Sequence, residues 1–364
     1  MQYKMKIGIS HGDINGISYE VIIKTLLDPR ILEICTPIIY GSAKVAAYHR
    51  KALNIEHFSP TAVNSPDEAR SNKAYIINCV DENIRVELGK STESAGIASY
   101  AALKAATDDL ELGKLDALIT GPVNKHNIQH SAFNYSGHTE YLQARFKAKE
   151  VMMLMVSDLL KVGLVAGHVP ISALSSFITE KLIVDKLQIL ARSLLTDFGI
   201  RNPRIAVLGL NPHAGDNGLL GSEEQEVIIP AIEKAKQKGI TALGPYAADG
   251  FFGAGRFSRF DAVLAMFHDQ GLSPFKALNM ESGVNYTAGL PVVRTSPAHG
   301  TAFELAGKNE ASPSSFRNAM YLAIDVARSR KLYDEISKDP LMEGQRKDGD
   351  RDESPEDLED QGGS

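Results

Sequence analysis

The chain has 364 residues, of which 43% are hydrophobic and 23% are charged, and its formal net charge is -6. This composition is typical of a globular protein long enough for two domains or one large domain. The small negative charge and the dispersed lysines and arginines exclude a basic face for nucleic acid. No apolar run has the length of a signal peptide or a membrane span, so we expect no membrane association.

The two cysteines do not indicate a disulfide framework or a thiolate metal site. Cys35 and Cys79 both lie in apolar surroundings and do not form a C-x-x-C pair. Cysteine usage of this kind is typical of a protein kept in a reducing compartment. The expected location is therefore the cytoplasm.

Strand-like and helix-like segments alternate along the first third of the chain. The strand KIGIS precedes the helix YEVIIKTLL, the strand TPIIYG precedes the helix KVAAYHRKAL, and the strand AYIINCV precedes the long helix in GIASYAALKAATDDLELG. The strand LDALIT then ends at Gly121-Pro122. Such alternation predicts βαβ units and a mostly parallel sheet covered by helices on both faces. The predicted fold class is therefore α/β.

The middle of the chain continues this pattern. The run VMMLMVSDLLKVGLVAG predicts two adjacent strands with a turn at Ser157-Asp158, and ITEKLIVDKLQILARSLLTDFG predicts a helix ending at glycine. The segment EEQEVIIPAIEKAKQKG predicts a helix whose acidic start and basic finish complement the helix dipole. Because that explanation suffices for Glu223 and Glu224, neither is assigned a chemical role. Residues 343–364 are highly charged and almost without apolar residues, which predicts disorder.

Three apolar, strand-like runs each end on a histidine: KVGLVAGH at His168, RIAVLGLNPH at His213 and DAVLAMFH at His268. Open α/β sheets bind ligands beyond the carboxyl ends of their strands, so the three imidazoles are expected to converge there. Three neutral imidazoles can hold a divalent ion and leave a position open for substrate. The alternative for each is a structural, hydrogen-bonded histidine. Five further histidines are predicted to be surface or loop residues: His11, His49, His57, His126 and His130.

Other polar residues are candidates for binding an anion. Lys276, Asn285 and Arg294 lie in an apolar, glycine-rich stretch where an unpaired charge would be costly, so an anionic ligand is expected to balance them. Arginine suits a two-point contact with phosphate or carboxylate. Thr139 could cap a helix or contact a ligand, and Lys125 could be solvated or contact an anion. The loop GISHGDINGIS could cradle an anion or form a tight turn, and it lacks the dinucleotide-binding G-x-G-x-x-G spacing.

Seven segments, in chain order, carry a resemblance to a known family: GDINGIS, TGPVNK, SGHTEYL, VAGHVPI, GLNPHAGDNGLLGSEE, AMFHDQGLSPFK and GVNYTAGLPVVRTSPAHGTAFELAG. The chain resembles the 4-hydroxythreonine-4-phosphate dehydrogenase family of pyridoxal phosphate biosynthesis. The resemblance implies two α/β domains flanking a cleft, as in isocitrate and isopropylmalate dehydrogenases, and not a Rossmann fold. We expect a first domain of residues 1–125 plus 286–342, a second domain of residues 126–285 with the metal ligands, and a disordered acidic tail.

The resemblance also implies roles for individual residues. It implies that His168, His213 and His268 bind a divalent metal in a homodimer whose site lies at the subunit interface, with ligands from both chains. Zinc is the expected metal, with cobalt, manganese or magnesium as alternatives. Lys276 and Asp249, the latter within the dimer site, are the expected catalytic residues, and Lys276 is the first candidate for proton transfer. The expected substrate contacts are His138, Thr139, Lys276, Asn285 and Arg294, and the expected nicotinamide-cofactor loop is His299, Gly300 and Thr301.

The reaction implied by the resemblance is an oxidative decarboxylation. The expected activity is metal-dependent and NAD- or NADP-dependent oxidation of 4-phosphooxy-L-threonine, followed by decarboxylation to 3-amino-2-oxopropyl phosphate. One alternative is a paralogous dehydrogenase of 4-phosphothreonate or 4-phosphoerythronate. Alternatives of other classes are a nicotinamide-independent metal-dependent lyase or hydrolase and a catalytically silent binding protein. The chain departs from the family's usual GDPAGIGPE, reading GDINGISYE at residues 12–20.

Overall fold

The computed structural model describes residues 4–70, 72–129 and 132–338. Its strands are β1 Met5–Ser10, β2 Cys35–Gly41, β3 Thr61–Ala62, β4 Tyr75–Asn78, β5 Ala117–Thr120, β6 Met152–Val156, β7 Lys161–Ala166, β8 Arg204–Leu208, β9 Thr241–Tyr246, β10 Ala262–Phe267, β11 Val284–Ala288 and β12 Arg294–Pro297. Its helices are α1 Ser18–Leu26, α2 Pro29–Ile34, α3 Ala43–Ala52, α4 Glu93–Glu111, α5 His138–Arg145, α6 Leu174–Phe177, α7 Glu180–Thr196, α8 Ile229–Gln237, α9 Ala248–Gly253, α10 His268–Asn279 and α11 Ser314–Ser337. His130 and the predicted disordered tail, 343–364, lie outside the described residues.

These strands form a single mixed sheet in the order β3-β4-β2-β1-β5-β12-β11-β6-β7-β10-β8-β9. Neighbouring strands pair in parallel except at three successive pairings, β12 with β11, β11 with β6, and β6 with β7. Three reversals mean that β7, β10 and β8 run opposite to β1, β5 and β12. The predicted α/β class is confirmed, and the two strands predicted around Ser157-Asp158 are β6 and β7.

The core lies between the sheet and the helices on its faces. Every residue of β2 and β5 is buried, as expected for parallel strands covered on both sides. The long helix α11 packs against β11, β12 and β5, and it buries Phe316, Met320 and Ile324. Among the described residues, each helix is too short or too polar to cross a membrane.

The hairpin of β11 and β12 joins the two groups of parallel strands. Strand β12 pairs with β5 of the amino-terminal group, whereas β11 pairs with β6 of the second group. The predicted division into residues 1–125 plus 286–342 and residues 126–285 passes through β11. That division stays a prediction.

Two histidines predicted to be surface or loop residues are buried. His11 lies in the loop after β1, whereas His49 lies within helix α3, so the prediction is wrong for His49. Their rings stack on either side of the Tyr19 ring, with centroid distances of 5.4 and 5.1 Å. Burial lowers the pKa of His11 to about 3 and the pKa of His49 to about 4. Both imidazoles are therefore neutral at physiological pH. Aromatic stacking between the loop after β1, helix α1 and helix α3 has no local sequence pattern, which is why the burial of these histidines was not predicted.

These two histidines are expected to make the folded chain acid-sensitive. Their pKa values are lower in the folded than in the unfolded chain, so unfolding takes up protons and stability is lost as pH falls below about 6.5. Neither ring nitrogen of His11 has a hydrogen-bond partner among the described residues, so His11→Phe should keep the stacking and remove one titrating group. We expect the slope of unfolding free energy against pH to fall by about 1.4 kcal/mol per pH unit between pH 4 and 6.

Denaturant unfolding at a series of pH values measures this slope. His57→Gln is the matched control, because the His57 side chain is 92% exposed. An identical slope in wild type and His11→Phe would contradict the assignment of a neutral, buried His11.

Candidate active site

A cavity of about 380 Å³ collects most of the predicted site residues. It is lined by loops after β5 and β12, by the start of α5, and by side chains of β6, β11 and α10. The predicted residues that line it are His138, Thr139, His168, Lys276, Asn285, Arg294, His299 and Gly300, together with Lys125. A larger cavity of about 920 Å³, beside α7 and α11, contains none of the predicted site residues. The smaller cavity is therefore the candidate active site.

Arg294 lies at the buried end of this cavity and is only 3% exposed. Its guanidinium donates to the Thr120 hydroxyl from Nε at 3.1 Å and from Nη2 at 2.6 Å, and from Nη1 to the Thr287 hydroxyl at 3.1 Å. Burial lowers the pKa of Arg294 to about 10, which leaves it charged. In the described part of the chain no carboxylate forms an ion pair with it. An uncompensated buried charge is costly, so the site favours an anionic ligand.

His138, the first residue of α5, presents a hydrogen-bond donor beside Arg294. Its Nδ1 accepts a hydrogen bond of 3.3 Å from Arg294 Nη2, and because arginine can only donate, the proton of the neutral ring is on Nε2. Burial, with the nearby charges of Arg294 and Lys125, holds the pKa of His138 well below its usual value. The Nε2 atom is buried and has no partner among the described residues. A ligand oxygen could accept from it.

Thr139 does not cap α5, so the capping interpretation is wrong. The N-cap position is Gly137, and no side chain makes a capping hydrogen bond there. Thr139 is the second residue of the helix and lines the cavity. Asn285 Oδ1 also lacks a partner among the described residues, and its Nδ2 lies 3.6 Å from Met153 Sδ. Thr139 and Asn285 can therefore form further hydrogen bonds with a ligand in the cavity.

The charges lining the cavity are mainly positive. Lys125, Lys276 and Arg294 contribute three cations, and Glu140 is the only carboxylate among the described lining residues. Lys125 lines the cavity wall but is itself exposed, so both interpretations of its sequence position stay open. The lining fits an anion with more than one negative charge.

Two of the three predicted metal ligands lie together. His168 follows β7, His268 follows the adjacent β10, and their ring centroids are 6.1 Å apart. His268 Nδ1 lies 2.7 Å from Asp269 Oδ1, and protonation of that nitrogen leaves the Nε2 lone pair free for a metal. Burial, with Lys125, lowers the pKa of His168, although Glu140 opposes the shift. Both rings are therefore suited to metal binding.

His213 lies apart from this pair. It is exposed and lines a separate cavity of about 620 Å³ with Asp249, whereas His168 and His268 line one of about 400 Å³, and Phe267 borders both. Within the described ranges, no group of three or more His, Cys, Asp and Glu side chains is placed to hold a metal ion. Within one chain, His168 and His268 thus lie together without His213. The three-histidine metal site stays a prediction.

The turn that carries His213 explains its position. Residues 213–217 all have positive φ angles, from 42 to 79°, in a left-handed turn. Left-handed backbone costs roughly 1–2 kcal/mol for each residue with a side chain, so other contacts must hold this turn. The buried Glu224 carboxylate accepts from the backbone N–H groups of Leu210 and Asn211, each at 2.7 Å, and so holds the segment that leads into this turn.

Sequence reasoning missed this role of Glu224. The helix predicted from Glu223 begins instead as a π-helical turn, Glu224–Ile228, before α8. The dipole explanation accounted for the acidic residues, although the glycines around NPHAGDNGLLGSEE signalled an unusual turn.

The predicted cofactor loop is bound to the amino-terminal loop. The carbonyl oxygen of Thr301 accepts from Ile17 N at 3.0 Å, and a Cβ on Gly16 would lie 2.6 Å from the same oxygen. Gly16 thus allows this close approach, so the GDINGIS loop supports the 299–301 loop. His299 Nε2 is buried and has no partner among the described residues, which leaves a polar group for a ligand. Thr301 itself does not line the candidate cavity.

Known proteins resemble this chain over almost its full length. Residues 33–323 match the family model for pyridoxal phosphate biosynthetic protein PdxA. A 4-hydroxythreonine-4-phosphate dehydrogenase of Bacteroides thetaiotaomicron is 55% identical, covering 93% of each chain. A D-threonate 4-phosphate dehydrogenase paralogue of Oceanobacillus iheyensis is 39% identical, over 91% of this chain and 100% of its own. The Klebsiella pneumoniae 4-hydroxythreonine-4-phosphate dehydrogenase structure has a TM-score of 0.79 and 31% identity, covering 89% of this chain and 98% of that chain.

Replacement of Arg294 by lysine tests the anion site. Arg294→Lys keeps the charge but removes the planar group held by Thr120 and Thr287, so at least one charged hydrogen bond to an anion should be lost. We expect sulfate affinity, measured by calorimetric titration, to fall about 10-fold or more. Arg328→Lys, at a half-exposed position on α11, is the control and should bind sulfate as wild type does. Equal affinities in all three proteins would place the anion elsewhere.

Proposed function

The chain belongs to the family of pyridoxal phosphate biosynthetic protein PdxA, and from this membership we propose a specific reaction. The chain oxidises 4-phosphooxy-L-threonine with NAD or NADP as acceptor and decarboxylates the product to 3-amino-2-oxopropyl phosphate. The observation that carries the proposal is the buried Arg294 guanidinium, which has no carboxylate partner among the described residues and lies beside the unpartnered Nε2 of His138.

The charges of the cavity support this substrate. The substrate has a phosphate, a carboxylate and an ammonium group, and the cavity wall has three cations and one carboxylate, Glu140. Arg294, Asn285 and Lys276 would bind the phosphate or carboxylate end, with His138 and Thr139 donating to the same ligand. Glu140 provides a counter-charge for the ammonium group. The paralogous substrate 4-phosphothreonate has a hydroxyl group at that position and needs no such counter-charge.

A divalent metal is part of the proposal, with His168 and His268 as two of its ligands. Their separation and the free lone pair of His268 Nε2 fit an imidazole-bound ion, for which zinc is the first choice and cobalt, manganese or magnesium are alternatives. When bound, the metal would lower the pKa of the substrate hydroxyl and stabilise negative charge as carbon dioxide leaves.

The chain's own residues would position the substrate and move protons. Arg294 and His138 hold the anionic end, and the half-buried Lys276 exchanges a proton through Nζ with the substrate during oxidation and decarboxylation. The nicotinamide cofactor would accept the hydride from the substrate carbon, and the loop of His299, Gly300 and Thr301 would hold it. Release of carbon dioxide breaks a carbon–carbon bond, and the carbon left behind takes up a proton.

A homodimer would supply the remaining metal ligand. His213 and Asp249 line a cavity separate from the His168–His268 pair, so we propose that they act in the site of the partner subunit. Ile171 lines the His168–His268 cavity, and Leu219 follows His213 by six residues in the chain. Each is 78% exposed, which supports a contact between subunits there. The proposed compartment is the cytoplasm, supported by the two free thiols of Cys35 and Cys79.

A second candidate function is oxidation of D-threonate 4-phosphate or erythronate 4-phosphate. This candidate is supported by the 39% identity to the Oceanobacillus iheyensis protein, which is named as a D-threonate 4-phosphate dehydrogenase. These substrates have the phosphate, carboxylate and hydroxyl groups that the cavity accommodates. They differ from the proposed substrate in lacking the ammonium group.

An assay of NAD reduction and carbon dioxide release distinguishes these functions. The purified chain, NAD or NADP and zinc are incubated with each candidate phosphate, and kcat/KM is compared. We expect both products, with the highest kcat/KM for 4-phosphooxy-L-threonine. A higher kcat/KM for D-threonate 4-phosphate would favour the paralogous function. Metal-dependent cleavage without NAD reduction would overturn the dehydrogenase proposal.

Mixing two inactive variants tests the shared metal site. His168→Ala and His213→Ala should each lose at least about 100-fold in turnover, with His57→Ala as an unaffected control. If ligands come from both subunits, a mixed dimer has one intact site, so equal mixing and subunit exchange should restore about a quarter of wild-type turnover. No restoration, with subunit exchange verified, would show that the ligands come from one chain.

A further inference from the structure

The Glu224 carboxylate lies buried against the backbone of the turn that carries His213. Its Oε1 accepts from Leu210 N and Asn211 N at 2.7 Å each, and its Oε2 accepts from Asn211 Nδ2 at 2.9 Å. The residue is 1% exposed, and it belongs to a different element from the turn. These contacts fix the backbone just before His213.

Three glycines make room for this carboxylate and for its partner Asn211. A Cβ on Gly209 would lie 3.1 Å from Glu224 Oε1, and a Cβ on Gly215 would lie 2.5 Å from Glu224 Oε2. A Cβ on Gly221 would lie 2.5 Å from Asn211 Nδ2. Backbone on both sides of His213, at Gly209 and at Gly215, therefore lies close to the Glu224 carboxylate. A shift of the carboxylate would shift the turn.

The same backbone is connected to the other histidine loop. Gln270, two residues after His268, donates from Nε2 to the Gly209 carbonyl at 2.6 Å and accepts from Met266 N at 2.7 Å. Glu224 thus holds one side of a segment whose other side is bound to the start of α10. These contacts hold the backbone segment that leads to the exposed His213.

We propose that Glu224 is a positioning residue for His213, acting through the left-handed turn without touching the metal or the substrate. The inference rests on the proposed function, in which His213 is a metal ligand. Groups that orient metal ligands are expected to change metal affinity by roughly 10-fold to 100-fold when they are replaced.

Zinc affinity of the full-length protein tests this role without relying on activity. Metal-free wild type and variants are titrated with zinc in competition with a chelator, and thermal midpoints are recorded. Glu224→Gln should weaken zinc binding roughly 10-fold, because an amide oxygen can still accept from the two backbone N–H groups but its NH₂ faces Asn211 Nδ2. Glu224→Asp, which keeps the charge but is one methylene shorter, is a second variant in case the first fails to fold.

Glu223 offers a matched control. Its Oε2 accepts from the same Asn211 Nδ2 at 2.7 Å, but it does not bind the turn's backbone. Glu223→Gln should change zinc affinity by less than about twofold. Excess zinc should restore turnover in Glu224→Gln but not in His213→Ala, which separates positioning from damage to the fold.

The outcomes separate this inference from the proposed metal site. Loss of affinity in His213→Ala and in the Glu224 variants, with Glu223→Gln unchanged, supports both. Loss in His213→Ala with wild-type affinity in the Glu224 variants overturns the positioning role alone. Wild-type affinity in His213→Ala overturns the proposed ligand and the inference with it. A Glu224 variant that excess zinc does not restore also overturns the positioning role.

Discussion

The buried positive charge of Arg294 is the constraint on which the candidate site depends. Its donors are directed by hydroxyl groups of β5 and β11 and by the His138 ring, all of which are neutral. These neutral partners hold the guanidinium in place without cancelling its charge, and the Glu140 carboxylate on the same wall acts on it only at longer range, so a bound anion is favoured. The unpartnered atoms of His138 and Asn285 lie on the same cavity wall. An oxidoreductase acting on a phosphorylated acid requires a site of this kind.

The topology of the sheet determines which groups can meet there. Because β7, β10 and β8 are adjacent and parallel, the histidines that follow them lie at the same edge. His168 and His268 come within two residues of their strand ends and lie together, whereas His213 comes five residues after β8 and projects from an exposed turn. The longer loop between the end of β8 and His213 therefore explains why His213 lies apart from His168 and His268.

Sequence patterns predicted the features that depend on local periodicity. The alternation of strands and helices gave the α/β class, and polar residues in apolar surroundings identified Lys276, Asn285 and Arg294, which line one cavity. Features that depend on contacts between distant segments were missed. The burial of His11 and His49 comes from stacking on Tyr19, and the role of Glu224 comes from backbone donors thirteen and fourteen residues away. The capping interpretation of Thr139 failed because helix α5 begins at His138, two residues earlier than a Thr139 cap requires.

The hairpin of β11 and β12 has a mechanical consequence. Asn285 is on β11, which pairs with β6, and Arg294 is on β12, which pairs with β5. A metabolite held by both side chains therefore cross-links the two parts of the sheet at their junction.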